Sequence, residues 1–97
     1  MADKIKNPKI KREEEKDEGI ETGLPFKVML FNDDWHSFDE VIIQIIKAVK
    51  CSFDEARSYA FEAHVNGKTV IFQGELSKCL KVTSVLDEIA LHSQIVS

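Results

Sequence analysis

The fold of this chain is decided by residues 26–49, which read FKVMLFNDDWHSFDEVIIQIIKAV. The apolar run at residues 26–31 has the β-forming character of a buried strand. The tetrapeptide from Ser37 to Glu40, SFDE, has the capping-box pattern, in which the serine oxygen accepts from the N3 amide and the glutamate reaches back. The apolar residues that follow predict a central helix over about residues 38–49. The stretch therefore predicts a strand, a polar junction and a helix.

A second helix is predicted by the same four letters, SFDE, which recur at residues 52–55. Small residues on one face of this helix, Ala56, Ala60 and Ala63, permit close approach of a neighbouring element. The asparagine–glycine pair at residues 66–67 supplies a left-handed C-cap, so we expect the helix to end there.

The remaining elements complete an α+β pattern. The segment KTVIF at residues 68–72 predicts a second strand, and helical apolar spacing predicts a third helix over about residues 75–91. The segment QIV at residues 94–96 predicts a short last strand. The order β-α-α-β-α-β indicates a small three-stranded antiparallel sheet packed against three helices.

Composition limits the classes of function. A chain of 97 residues with 43% hydrophobic content suits one small domain. The net charge of −4 argues against nucleic-acid binding, which needs clustered positive charge, and no apolar run approaches the ~20 residues of a membrane span. The N-terminus lacks the apolar core of a signal peptide, and Cys51 and Cys79 do not form a CxxC pair. We therefore expect reduced thiols in a cytoplasmic protein, with Cys79 in the core.

Residues 1–23 differ from the rest of the chain. They hold 6 Lys/Arg and 7 Asp/Glu, three isoleucines as the large apolar residues, and no aromatic residue. Such a segment buries too little apolar surface to offset its chain entropy. The sequence predicts a disordered extension over residues 1–23 and a folded core over residues 24–97.

The polar junction raises the question of a site. Taken alone, Asn32, Asp33 and Asp34 suit a turn before a helix, and His64 suits the end of one. If the first two helices are antiparallel, however, Asn32, Asp34 and His64 can converge. Three acceptors match an ammonium group, which carries three donors. The apolar neighbours Phe31, Phe38, Val41 and Ala60 would complete a pocket for the first residue of a polypeptide with a free amine.

Two other kinds of site remain open at this point: a general acid/base pair formed by the aspartates, and a metal site. The side chains of Asp33, Asp34, His36 and His64 could bind a divalent metal, which would suit a small metal-dependent hydrolase, but no ligand pair has the spacing of HExxH. The sequence shows no nucleophile beside a base and no glycine-rich phosphate loop. We therefore predict a binding protein without a cofactor rather than an enzyme.

Three motifs carry a family resemblance. The stretch FKVMLFNDDWHSFDEVI resembles the strand–NDD–helix segment of the ClpS adaptors, HVNGK at residues 64–68 resembles their His-x-x-Gly segment, and LKV at residues 80–82 resembles their Thr-Lys-Val. The match covers about residues 26–82, with nearly the same separations between motifs. These adaptors recognise N-degrons, which are N-terminal Leu, Phe, Tyr or Trp residues, and pass the substrate to the AAA+ unfoldase of the Clp protease.

The resemblance implies a role for each site residue. The α-ammonium would be bound by Asn32, Asp34 and His64, with Asp33 adding negative potential. The hydrophobic pocket would comprise Phe31, His36, Phe38, Val41 and Ala60, with Phe38 as a gate at the position where the family usually has methionine. The N-terminal extension would serve delivery, and Lys81 and Glu75 would contact an unfoldase of the ClpA or ClpC type.

The sequence also departs from the family pattern. The ending HSQIVS lacks the His-Pro-Leu-Leu-type strand that normally adds a pocket wall, so we expect that wall to differ. The same fold also serves the eukaryotic N-recognin domain and resembles the C-terminal domain of the ribosomal stalk protein. A ClpS-like module that binds another protein partner is therefore the alternative function.

Overall fold

The computed structural model describes residues 25–97, in which three strands and three helices follow one another in the predicted order β-α-α-β-α-β. The elements are β1 (Phe26–Phe31), α1 (Phe38–Val49), α2 (Phe53–Asn66), β2 (Lys68–Gly74), α3 (Leu76–Asp87) and β3 (Ser93–Val96). The predicted α+β class and three-stranded antiparallel sheet are confirmed. The predicted extension over residues 1–23 lies outside the described residues.

The sheet places β1 in the middle, with β2 and β3 antiparallel on its two sides. Alternating residues Val28 and Leu30 point into the core and are fully buried. Because β1 is the central strand, the loop that follows it begins between β2 and β3. The Phe31 amide donates to the His92 carbonyl over 3.0 Å, and the Asn32 amide donates to the Gly67 carbonyl over 3.0 Å. These two bonds fix the start of the loop on both sides.

Both predicted capping boxes are present. The Glu40 amide donates to Ser37 Oγ over 3.1 Å, and the Ser37 amide donates to Glu40 Oε1 over 2.8 Å. The equivalent bonds between Ser52 and Glu55 are both 3.1 Å. At the other end of α2, Gly67 has a φ of 88°, as the left-handed C-cap requires.

The third helix ends earlier than predicted, at Asp87 rather than near Leu91. The Ala90 amide donates to the Asp87 carbonyl over 2.9 Å and the Leu91 amide to the Leu86 carbonyl over 3.1 Å, while Ala90 has a φ of 59°. These bonds form a Schellman motif with alanine in the left-handed position that glycine usually occupies. The reversal lets Leu91 pack into the core together with Leu86. Because no glycine marks this end, the helical spacing alone overestimated its length.

The helices form a layer over the sheet. Helix α1 packs against α2 and α3, α2 packs against β2, and α3 packs against all three strands. The buried core consists of Val28, Leu30, Ile42, Ile45, Ala56, Ala60, Ala63, Ile71, Cys79, Val82, Leu86 and Leu91. The prediction that Cys79 is a core residue is confirmed.

The end of α3 is tied to α1 by side chains. Gln44, the buried polar residue of α1, donates from Nε2 to the Val85 carbonyl over 2.6 Å. Lys47 Nζ donates to Glu88 Oε1 over 2.6 Å, and both of these side chains are largely exposed. In the part of the chain that the structure describes, no helix is both long enough and apolar enough to cross a membrane.

Candidate functional site

A cavity of about 380 Å³ lies where the loop after β1, the start of α1 and the end of α2 meet. This volume is at the small end of the roughly 300–1,000 Å³ of ligand pockets. The lining residues are Leu30, Phe31, Asn32, Asp33, Asp34, His36, Phe38, Val41, Ala60, Ala63, His64 and Leu91.

Three polar residues of this lining are exposed to solvent: Asn32, Asp34 and His64. Asn32 and Asp34 belong to the loop after β1, and His64 lies in the last turn of α2. The bond from the Asn32 amide to the Gly67 carbonyl brings that loop to the C-terminus of α2. The antiparallel arrangement of α1 and α2 thus places a carboxylate, an amide and an imidazole around one cavity.

The deeper lining is apolar. Leu30, Ala60, Ala63 and Leu91 are each at most 3% exposed, so they form the interior of the cavity. The two alanines leave space beside α2 because a methyl group fills little of it. Phe38 is different, since its side chain is 41% exposed at the first position of α1. Its ring is therefore accessible from solvent while it lines the cavity.

The structure brings together the predicted residues of the polar cluster and of the hydrophobic pocket, since all of them line this cavity. Three lining residues were missed: Leu30, Ala63 and Leu91. The alternation of Val28 and Leu30 along β1 could have indicated the first, and the small-residue face of α2 the second. The sequence carries no local signal for Leu91, which lines the cavity from the position directly before the ending HSQIVS, where a family wall was expected to differ. The other two predicted residues, Lys81 and Glu75, are exposed on or beside α3 and do not line the cavity.

The carboxylate of Asp33 is hydrogen-bonded to other residues of its own loop. Asp33 Oδ1 accepts from the Trp35 amide over 3.1 Å and from the His36 amide over 2.9 Å, while Oδ2 lies 2.6 Å from His36 Nδ1. Burial alone would raise the pKa of Asp33, but the hydrogen bonds from His36 and Trp35 outweigh it and hold that pKa below its usual value. Asp33 therefore stays ionised and is already engaged by its own loop.

His36 joins this loop to the end of α3. Its Nδ1 contacts Asp33, and its Nε2 lies 2.5 Å from the carbonyl oxygen of Ile89. Hydrogen bonding to Asp33 is the main reason that the pKa of His36 is raised; burial opposes the shift, and the Ile89 carbonyl adds to it.

The geometry also bears on the alternative of a metal site. Within residues 25–97, no group of three or more His, Cys, Asp or Glu side chains is arranged so that it could hold a metal ion. The contact between Asp33 and His36 uses two of the four residues considered for that site.

Fold and cavity together define a small α+β binding domain with exposed acceptors above an apolar interior. A family model described as "ATP-dependent Clp protease adaptor protein ClpS" matches residues 21–94. The chain belongs to the ClpS family, which is a family of adaptors.

Individual proteins are similar to this chain in fold or in sequence. The structure of Agrobacterium tumefaciens ClpS2 bound to L-phenylalaninamide has the same fold, with a TM-score of 0.65 and 24% identity, covering 74% of this chain and 96% of that one. The human E3 ubiquitin-protein ligase UBR2 is 32% identical over 69 residues, and the mouse protein is 33% identical over 58 residues. These matches cover 71% and 60% of this chain but only 4% and 3% of the ligases.

Proposed function

We propose that this protein is an N-degron adaptor. It binds the first residue of polypeptides that carry a free amine and a bulky hydrophobic side chain, such as Leu, Phe, Tyr or Trp. It then delivers them to the AAA+ unfoldase of a Clp protease. The observation that carries the proposal is the placement of Asn32, Asp34 and His64 at the rim of an apolar cavity. The ligand of the Agrobacterium relative, L-phenylalaninamide, has a free amine and an aromatic side chain, which supports the same chemistry here.

The amine is recognised by its charge and its three donors. The amide oxygen of Asn32, the carboxylate of Asp34 and a ring nitrogen of His64 can supply three acceptors, which match the three N–H groups of an ammonium. Hydrogen bonds of this kind that involve an ionised partner are about twice as strong as neutral ones. Asp33 contributes little net charge, because its carboxylate is paired with His36.

The side chain of the first residue enters the apolar interior. Leu30, Ala63 and Leu91 extend the pocket beyond the residues predicted from sequence. Because Asn32, Asp34 and His64 hold the amine at the rim, the first side chain is directed inward while the rest of the polypeptide leaves toward solvent. The site therefore recognises the N-terminus of a polypeptide and not an internal segment.

Delivery involves surfaces outside the cavity. Lys81 is exposed on α3 and Glu75 is exposed directly before it, so a partner can reach both while the cavity is occupied. We assign them to contact with an unfoldase of the ClpA or ClpC type. Residues 1–23, proposed to act in delivery, lie outside the described residues.

The proposal is tested with two peptides that differ in their first residue. A phenylalanine-first peptide with a free amine should bind more tightly than the same peptide with serine first. Burying a phenylalanine side chain contributes about 1.5–3 kcal/mol, so we expect a difference of at least about tenfold by isothermal titration. Failure of the phenylalanine-first peptide to bind, or equal affinities, would favour a ClpS-like module for another partner.

Phe38 is expected to control which first residues fit. A β-branched residue carries its branch close to the backbone, where the ring of Phe38 at the cavity mouth would collide with it. The Phe38→Ala variant should therefore bind isoleucine- and valine-first peptides better relative to leucine. Because Phe38 is 41% exposed, the stability cost should lie well below the roughly 3–5 kcal/mol of a buried phenylalanine.

A matched control for this variant exists in the second helix. Phe53 follows Ser52 as Phe38 follows Ser37, in the same SFDE box, but it is 57% exposed and does not line the cavity. The Phe53→Ala variant should leave the order of preference among leucine, isoleucine and valine unchanged. A strongly destabilised Phe38→Ala variant with unchanged preferences would identify Phe38 as a core residue instead.

A further inference from the structure

The ring of His36 connects two parts of the cavity that are far apart in sequence. One ring nitrogen contacts Asp33 in the loop, and the other contacts the carbonyl of Ile89, 53 residues away, after α3. The side chains of His36 and Asp33 are only 9% and 10% exposed, so water competes little for these bonds. This arrangement is called the His36 clamp below.

The clamp requires a protonated ring. A carboxylate and a backbone carbonyl are both acceptors, so each ring nitrogen must carry a proton to bond with its partner. A neutral imidazole carries one proton and would leave one of the two contacts without a hydrogen bond. Glu40 of α1 adds further negative potential at the ring, and the C-terminal end of α3 has the same sign. The other titratable groups that line the cavity are Asp34 and His64.

The clamp holds both the rim and the interior of the cavity. Asp33 lies between the two rim acceptors Asn32 and Asp34, so fixing its carboxylate fixes the loop that carries them. Ile89 is two residues before Leu91, which lines the interior. The ring of His36 therefore sets the position of the loop relative to the chain segment that contains Ile89 and Leu91.

We propose that the imidazolium form of His36 is a positioning residue, which aligns the rim acceptors with the cavity interior and couples N-terminal residue binding to the protonation of His36. This inference rests on the proposed function. His36 does not itself bind the amine; it acts through Asp33 and Ile89.

The direction of the pH dependence of binding follows because the clamp needs the protonated ring of His36. The clamp is complete below the ordinary histidine pKa of 6.5 and is lost as the pH rises through the higher pKa of His36 in the folded protein. The peptide amine also loses its proton near pH 7.7–8 or so, which weakens binding for an unrelated reason. The affinity must therefore be compared with that of a variant that lacks the clamp.

The matched variant is Asp33→Asn combined with His36→Gln. It removes one negative and one positive charge, so the net charge beside the amine stays that of the paired wild type. We expect a phenylalanine-first peptide to bind this variant about tenfold more weakly at pH 6, as when partners that orient a ligating group are removed. This match of charges holds while His36 is protonated. At pH 8.5, where the ring loses its proton, the charge-matched variant is His36→Gln alone, and it should bind the peptide nearly as tightly as the wild type. Equal affinities of the wild type and the double variant at pH 6, or an equally large loss for His36→Gln at pH 8.5, would overturn the inference.

A second measurement uses only the wild type, so it does not depend on whether the variant folds. By linkage, a peptide that binds the clamped form more tightly must raise the pKa of His36, whereas charge repulsion from a bound ammonium would lower it. The ring titration is followed by NMR with and without the phenylalanine-first peptide, and we expect the midpoint to rise. An unchanged or lowered midpoint overturns the inference alone. Absence of binding by the wild type at any pH overturns the proposed function as well.

Discussion

Acetylating the amine of a phenylalanine-first peptide is expected to lower its affinity by at least about 2 kcal/mol, roughly thirtyfold. The acetyl group removes the positive charge and the ammonium donors that face Asn32, Asp34 and His64 at the cavity rim. It also leaves the carboxylate of Asp34 covered by the ligand without a charged partner. The loss is measured by titrating the free and acetylated peptides at the same pH and ionic strength.

Variants of two aspartates assign this effect to the rim. In Asp34→Asn the free peptide should bind much more weakly, and acetylation should then change the affinity far less than in the wild type. Asp39→Asn makes the same charge change in the first turn of α1, outside the cavity lining, and should retain nearly the full sensitivity to acetylation. If Asp34→Asn and Asp39→Asn behave alike, the amine is not bound at Asp34.

Replacing Leu91 by alanine is expected to lower the free energy of unfolding by about 2–5 kcal/mol. Leu91 is 1% exposed and packs in the core after the left-handed Ala90, so truncation leaves a void that the fixed Schellman turn cannot close. Small domains have a total stability of only about 5–15 kcal/mol, so this loss is a large fraction of it. Denaturant unfolding monitored by circular dichroism measures the change.

A second leucine serves as the control for this variant. Leu80 lies on α3 with 53% of its surface exposed, so Leu80→Ala should change stability by about 0.5 kcal/mol or less. Equal costs for the two variants would contradict the burial of Leu91. Where Leu91→Ala still folds, its cavity is larger, and tryptophan-first peptides should gain affinity relative to leucine-first peptides.

The starts of α1 and α2 were predictable because their signals are local. Each SFDE box satisfies its own amides within four residues, and Gly67 marks the end of α2 by its left-handed backbone. The end of α3 was not predictable in the same way. Its Schellman motif has Ala90 at the left-handed position, where a glycine would have indicated the end of the helix. The motif is stabilised by tertiary packing of Leu91.

Most of the residues that line the cavity were also predictable from the sequence. The cluster of acceptors at Asn32 and Asp34 lies beside a strand-to-helix junction, and His64 lies at a helix end, so an antiparallel helix pair brings them together. The engagement of Asp33 by His36 was not foreseen, because it depends on a ring held between two segments. The contact between His36 and Ile89 joins residues 53 positions apart, and no periodicity encodes such a pair.

The last turn of α3 has a consequence for the cooperativity of unfolding. The carbonyl of Val85 in this turn accepts from Gln44 of α1, and the carbonyl of Ile89, just after α3, accepts from His36 in the loop before α1. A helix end held by its own residues can fray alone, whereas this one can open only when bonds to the first half of the domain break. The C-terminal end of α3 and the segment from His36 to Gln44 therefore belong to one cooperative unit, and amide hydrogens of both should exchange with solvent at the same slow rate.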